Sequence, residues 1–103
     1  MRTDLLTEED RKERLQPLLD NGWEMTDGRD QIEKKYTFSN FRIAFGWMTV
    51  AGMEAEKMNH HPDWTNVWNR VNVKLTTFSK GGLTDLDVRL AKRMDKLADQ
   101  FGD

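Results

Sequence analysis

At 103 residues, with 16 basic and 18 acidic side chains and a net charge of −2, the chain is long enough for one domain over 1–103 and too short for two. It has no cysteine, which excludes disulfides, a thiolate nucleophile and thiolate metal ligands. Acids and bases are interspersed without a basic patch, so direct nucleic-acid binding is not expected; MRTDLLTEED lacks a signal-peptide core, and the longest uncharged run, 43–53, is too short to span a bilayer.

Thr7 is placed to cap a first helix, and Glu8, Glu9 and Asp10 suit its positive end. Leu15, Leu18 and Leu19 give it an apolar face, Pro17 should kink or weaken it, and Asn21-Gly22 should stop it. A short strand over 23–25 and a turn over 26–29 follow. From Ile32 to Phe38 the chain alternates, with Ile32, Tyr36 and Phe38 on one face and Glu33, Lys35 and Thr37 on the other. Lys34 interrupts the apolar side, which suggests an edge strand or a half-open face.

Ser39 is the expected cap of a second helix over 40–58. Its apolar residues, among them Phe41, Phe45, Trp47, Val50 and Met53, run nearly all the way round, and a core of this size covers only one side. A second subunit is the simplest cover, so a homodimer or homotetramer built on this helix is expected, with Trp47 and Val50 on the outer face. Pro62 should end the helix within Asn59-His60-His61-Pro62. A strand over 64–68, a tight turn at Asn69-Arg70 and a strand in which Val71, Val73 and Leu75 alternate with Asn72, Lys74 and Thr76 come next. After a loop over 78–82, Thr84 and Asp87 approximate a capping box for a last helix with Leu86, Leu90, Met94 and Leu97 on its core face. The order α-β-β-α-β-β-α implies an α+β domain: a four-stranded antiparallel sheet with three helices packed on one face.

His60 and His61 are the only histidines. They read as loop histidines, as a metal site, or as acid–base groups. A metal is the weakest of the three, because neighbours in extended chain point to opposite sides. Acid–base chemistry is attractive because imidazole changes charge near neutral pH, and the negative end of a preceding helix suits a proton donor. Glu56 lies one helical turn before His60, where it could orient that ring or could simply be solvated.

The stretch from Ala55 through Glu56, His60, His61, Pro62, Asp63 and Trp64 to Val71 closely resembles the signature of the pterin-4a-carbinolamine dehydratases, a family also known as the dimerisation cofactor of a liver homeodomain transcription factor. The resemblance continues through Leu75-Thr76-Thr77 and Gly82-Leu83-Thr84-Asp85-Leu86-Asp87, and upstream through Gly22-Trp23, Gly28-Arg29-Asp30 and 41–46. It implies dehydration of 4a-hydroxytetrahydrobiopterin to quinonoid dihydrobiopterin, which recycles the pterin of aromatic amino acid hydroxylases. It implies no metal and no cofactor, the pterin being the substrate. On the matching positions, His60, His61 and Glu56 would be catalytic, and His60, His61, Pro62, Thr77, Phe78, Ser79 and Lys80 would contact substrate. Asp87 completes the signature and could serve only as a cap. One departure stands out: the family places a third histidine where this chain has Phe78. That departure feeds an alternative, a catalytically weakened member acting as a dimerisation cofactor for a transcription factor. The compartment implied is the cytoplasm, and the nucleus as well if such a partner is engaged.

Overall fold

A computed structural model describes residues 4–102. The first helix, α1, runs over 8–20 in three parts. Thr7 and Asp10 cap it reciprocally: the Thr7 hydroxyl accepts the Asp10 N–H at 3.0 Å and Asp10 Oδ2 accepts the Thr7 N–H at 3.1 Å. Its middle, Arg11–Leu15, is a π turn in which the Gln16 N–H reaches back to the Arg11 carbonyl. Pro17 explains this, because its ring would collide with the carbonyl one turn earlier, and widening the turn relieves the clash without breaking the helix.

The strands are β1 (Glu24–Met25), β2 (Ile32–Thr37), β3 (Asp63–Val67) and β4 (Arg70–Leu75), antiparallel throughout in the order β1-β2-β4-β3. Helix α2 (Phe41–Met58) separates the two strand pairs and α3 (Asp85–Phe101) closes the chain. Alternation sends Ile32, Tyr36, Val71, Val73 and Leu75 into the core, while Lys35, Asp63, Thr65, Asn72 and Lys74 face outward. The expected α+β architecture is therefore present, with the helices on one face. Trp47 and Ala51 of α2 and Leu90 and Met94 of α3 fill the layer above the sheet. Trp47 is fully buried and its indole N–H donates to the Met94 carbonyl at 3.1 Å.

Several local expectations are corrected. Strand β2 lies between β1 and β4 rather than at an edge. Lys34 does sit on its core face, but Asp95 of α3 neutralises it at 2.8 Å, and its ammonium lies 4.9 Å from the centre of the Tyr36 ring. Asp95 also accepts from Trp23 and from Tyr36, whose hydroxyl is raised above its usual range by burial and by that bond. Asn40, not Ser39, caps α2, its side chain accepting the Ile43 N–H at 2.9 Å. Trp47 belongs to the protein's own core, so the outer stripe of α2 is Phe41, Phe45 and Met53, all exposed, with Val50 half-buried. The β3–β4 turn is Trp68-Asn69, one residue earlier than expected, because the Asn66 amide bonds the carbonyls of both Trp68 and Arg70.

Candidate active site

The two histidines owe their divergence to how α2 ends. Asn59 adopts a left-handed conformation (φ 53°, ψ 42°), which asparagine tolerates better than most residues. Its N–H bonds the Glu56 carbonyl at 3.0 Å, and the His60 N–H bonds the Ala55 carbonyl at 3.0 Å. This pair of bonds is the Schellman closure, so α2 stops at Asn59 and not through Pro62. The reversal turns His60 inward and leaves His61 outside.

His60 meets the first turn of α3. Its Nε2 lies 2.5 Å from Asp87 Oδ1, and Asp87 is completely buried. The other carboxylate oxygen, Oδ2, accepts the Thr84 N–H at 2.9 Å and the Thr77 hydroxyl at 2.7 Å. The capping box read from Thr84 and Asp87 is present, but Asp87 also grips a histidine 27 positions away in the chain. A buried carboxylate survives only when its lone pairs are occupied, and here three donors surround it. His61 is held differently: its Nε2 lies 2.7 Å from Glu56 Oε1, with both side chains largely in solvent. Glu56 thus orients His61 rather than the His60 expected from helical spacing.

The remaining expected substrate contacts fall on two segments, one just before β3 and one after β4. Pro62 is half-buried at the start of β3. Thr77 is buried, and its hydroxyl is committed to Asp87 and Thr84. Phe78, Ser79 and Lys80 form a short 3-10 turn on the surface, closed by Gly81 at φ 76°. Phe78 is 73% exposed and borders a shallow cavity of about 400 Å³ beside Arg29 and Thr76.

Asp30 anchors this region from just before β2, beside the end of β4, where its carbonyl accepts the Thr76 hydroxyl at 2.9 Å. It receives Arg11 through two 2.8 Å bonds and accepts the Leu83 N–H at 3.0 Å. The Arg11 hydrogen bonds hold the Asp30 carboxyl below the usual carboxylate range, and the same bonds raise Arg11. A side chain at Gly82 would place its first carbon 2.3 Å from Asp30 Oδ2, so this position accepts only glycine while Asp30 stays in place.

Among the described residues no group of three or more His, Cys, Asp or Glu is arranged to hold a metal ion. Proton transfer is what the arrangement can do. Each imidazole has one nitrogen on a carboxylate and one left over, an arrangement that suits acid–base chemistry.

Comparison with known proteins agrees and is more specific. Residues 4–97 match the pterin 4 alpha carbinolamine dehydratase family, and the chain belongs to it. A relative from Roseobacter denitrificans is 54% identical over 96 residues, covering 93% of this chain and 98% of its own. The pterin-4-alpha-carbinolamine dehydratase of Drosophila melanogaster is 46% identical over 93 residues, 90% of this chain and 48% of the fly protein. A crystal structure from Brucella melitensis, described as a transcriptional coactivator/pterin dehydratase, superposes with a TM-score of 0.85 at 43% identity, over 92% of this chain and 99% of that one.

Proposed function

We propose that the protein dehydrates 4a-hydroxytetrahydrobiopterin to quinonoid dihydrobiopterin, returning the pterin to the cycle of an aromatic amino acid hydroxylase. The observation that carries this reading is the pair of adjacent histidines, each seated on its own carboxylate, in a chain of this family. The C4a–O bond breaks as an acid protonates the departing hydroxyl to water, and a base takes the N5 proton as the C4a=N5 bond forms. One histidine moves the proton while the other holds the pterin. Glu56 orients His61, and Pro62, Phe78, Ser79 and Lys80 border the substrate. No cofactor enters the balance.

The protein works as a homodimer or homotetramer through α2, whose exposed Phe41, Phe45 and Met53 support that assembly. Its place is the cytoplasm; no helix among the described residues is long and apolar enough to cross a membrane. The coactivator description of the Brucella neighbour favours a second role, binding of a transcription-factor partner on the same helix, which would add the nucleus. The test is stopped-flow decay of enzymatically generated carbinolamine with the pure protein. Acceleration over the spontaneous rate, abolished in the His60→Ala/His61→Ala double variant, supports the reading; equal rates with and without protein overturn it.

A further inference from the structure

We infer that the Thr84 and Thr77 hydroxyls form a positioning relay that fixes the proton on His60 Nε2 and leaves His60 Nδ1 as the ring atom presented to the pterin. This rests on the dehydratase reading for its function, but not for its geometry. The directions of the bonds follow from counting protons. The Leu86 N–H donates to Thr84 Oγ1 at 3.2 Å. Thr77 has one hydroxyl proton, and it goes to Asp87 Oδ2 at 2.7 Å. The 2.8 Å contact between the two hydroxyls is therefore a donation from Thr84 to Thr77. The Thr84 N–H adds a second donor to Oδ2 at 2.9 Å.

Asp87 Oδ2 is thereby filled by two groups that can only donate to it. Oδ1 has one neighbour, His60 Nε2 at 2.5 Å, and this bond needs one proton between the two atoms. With Oδ2 serving two donors, Oδ1 is the oxygen left for the ring, and because imidazole is a stronger base than a carboxylate the shared proton resides on Nε2. Nδ1 makes no hydrogen bond among the described residues. A hydroxyl chain aimed one way thus sets the tautomer of a ring it never touches. Thr77 takes part from within, since it is only 6% exposed and its hydroxyl has no proton left for substrate.

The chain holds only two histidines, so labelling them with ¹⁵N makes the test direct. Long-range proton–nitrogen spectra, with His61→Gln for assignment, report which His60 nitrogen carries the proton. In the wild type at mildly alkaline pH, a protonated Nε2 and a bare Nδ1 are expected; a protonated Nδ1 overturns the inference, and no variant is needed to see it. Thr77→Val removes one donor at nearly constant shape. It should mix the tautomers and lower kcat/KM about tenfold, mainly through KM, with Thr77→Ser restoring both. A folded Thr77→Val protein with an unmixed Nε2 tautomer and wild-type KM also overturns it. If the wild type shows no dehydration but His60 has the Nε2 proton and loses it in Thr77→Val, the relay stands and the dehydratase reading falls.

Discussion

Glu56 stands 2.7 Å from His61 and is 79% exposed, whereas Asp87 stands 2.5 Å from His60 and is fully buried. Adjacent histidines thus sit on carboxylates of opposite character, and the two pairs should respond differently to mutation. Exposed ion pairs contribute roughly 0–1 kcal/mol to stability. Glu56→Gln should therefore leave the melting temperature nearly unchanged while lowering kcat/KM, because His61 loses its orienting partner. A calorimetric scan beside the stopped-flow assay checks this; a large loss of stability would place Glu56 in the scaffold instead.

Asp87→Ala removes a buried carboxylate that holds His60, Thr77 and the Thr84 N–H together. Breaking a buried pair on one side typically costs about 3–5 kcal/mol. The expected result is a fall of that order in urea unfolding, together with loss of activity. A stable and active Asp87→Ala protein would reduce Asp87 to a surface-grade helix cap.

The outer face of α2 and its inner face can be separated by mutation. Phe45 is 54% exposed and Trp47 is fully buried two positions later. Phe45→Glu should lower the sedimenting mass toward the 12.1 kDa protomer while the circular dichroism of the fold persists. Trp47→Ala should destabilise the protomer itself, by about 3–5 kcal/mol as for other buried aromatics. A wild type that sediments as a monomer at micromolar concentration would remove α2 as an assembly surface.

Much of this organisation is legible in the sequence because it is local. The alternation of Val71, Val73 and Leu75 gives β4, and the Thr84–Asp87 spacing gives the start of α3. What stays hidden depends on distant partners. Lys34 looks like a break in a strand until Asp95, on another element, neutralises it. Asp87 looks like a cap because its second ligand, His60, comes from the far end of α2. Trp47 looks available for a partner because an all-round apolar helix does not reveal which side its own core takes. Helix α2 ends after Met58 as expected, but the cause is a left-handed Asn59 rather than Pro62.

Acid should act through Asp30. Folding lowers this carboxyl below its ordinary value of 3.8, mainly through the Arg11 hydrogen bonds. A depressed group contributes stability that is fully present above the unfolded value and is lost as pH falls through the folded one. The advantage of the wild type over Asp30→Asn should hold at neutral pH and shrink only below about 3.8. Urea unfolding of both proteins between neutral pH and strong acid measures it. An advantage that stays constant down to the lowest pH would show that the protonated acid serves Arg11 as well as the carboxylate does.

Phe78 offers the sharpest test of the catalytic reading. It lies directly after Thr77, in the surface turn that follows β4, and 73% of it is exposed. The resemblance implies a third imidazole at this position, and phenylalanine supplies a ring without proton chemistry. Because the side chain is not packed into the core, Phe78→His should change stability by less than about 0.5 kcal/mol, as surface replacements generally do. Its effect would then fall on chemistry alone. A fixed proton donor at a reacting centre outperforms water, since it needs no reorganisation as charge develops. The added imidazole is therefore expected to raise the dehydration rate, and to raise it unequally for the two C4a epimers, whose hydroxyls leave from opposite faces of the pterin. Stopped-flow decay of each epimer, with wild type and variant at equal concentration and matched sedimentation, gives the comparison. A rate unchanged or lowered for both epimers would mean that His60 and His61 already carry the whole reaction and that the turn has been rebuilt around phenylalanine.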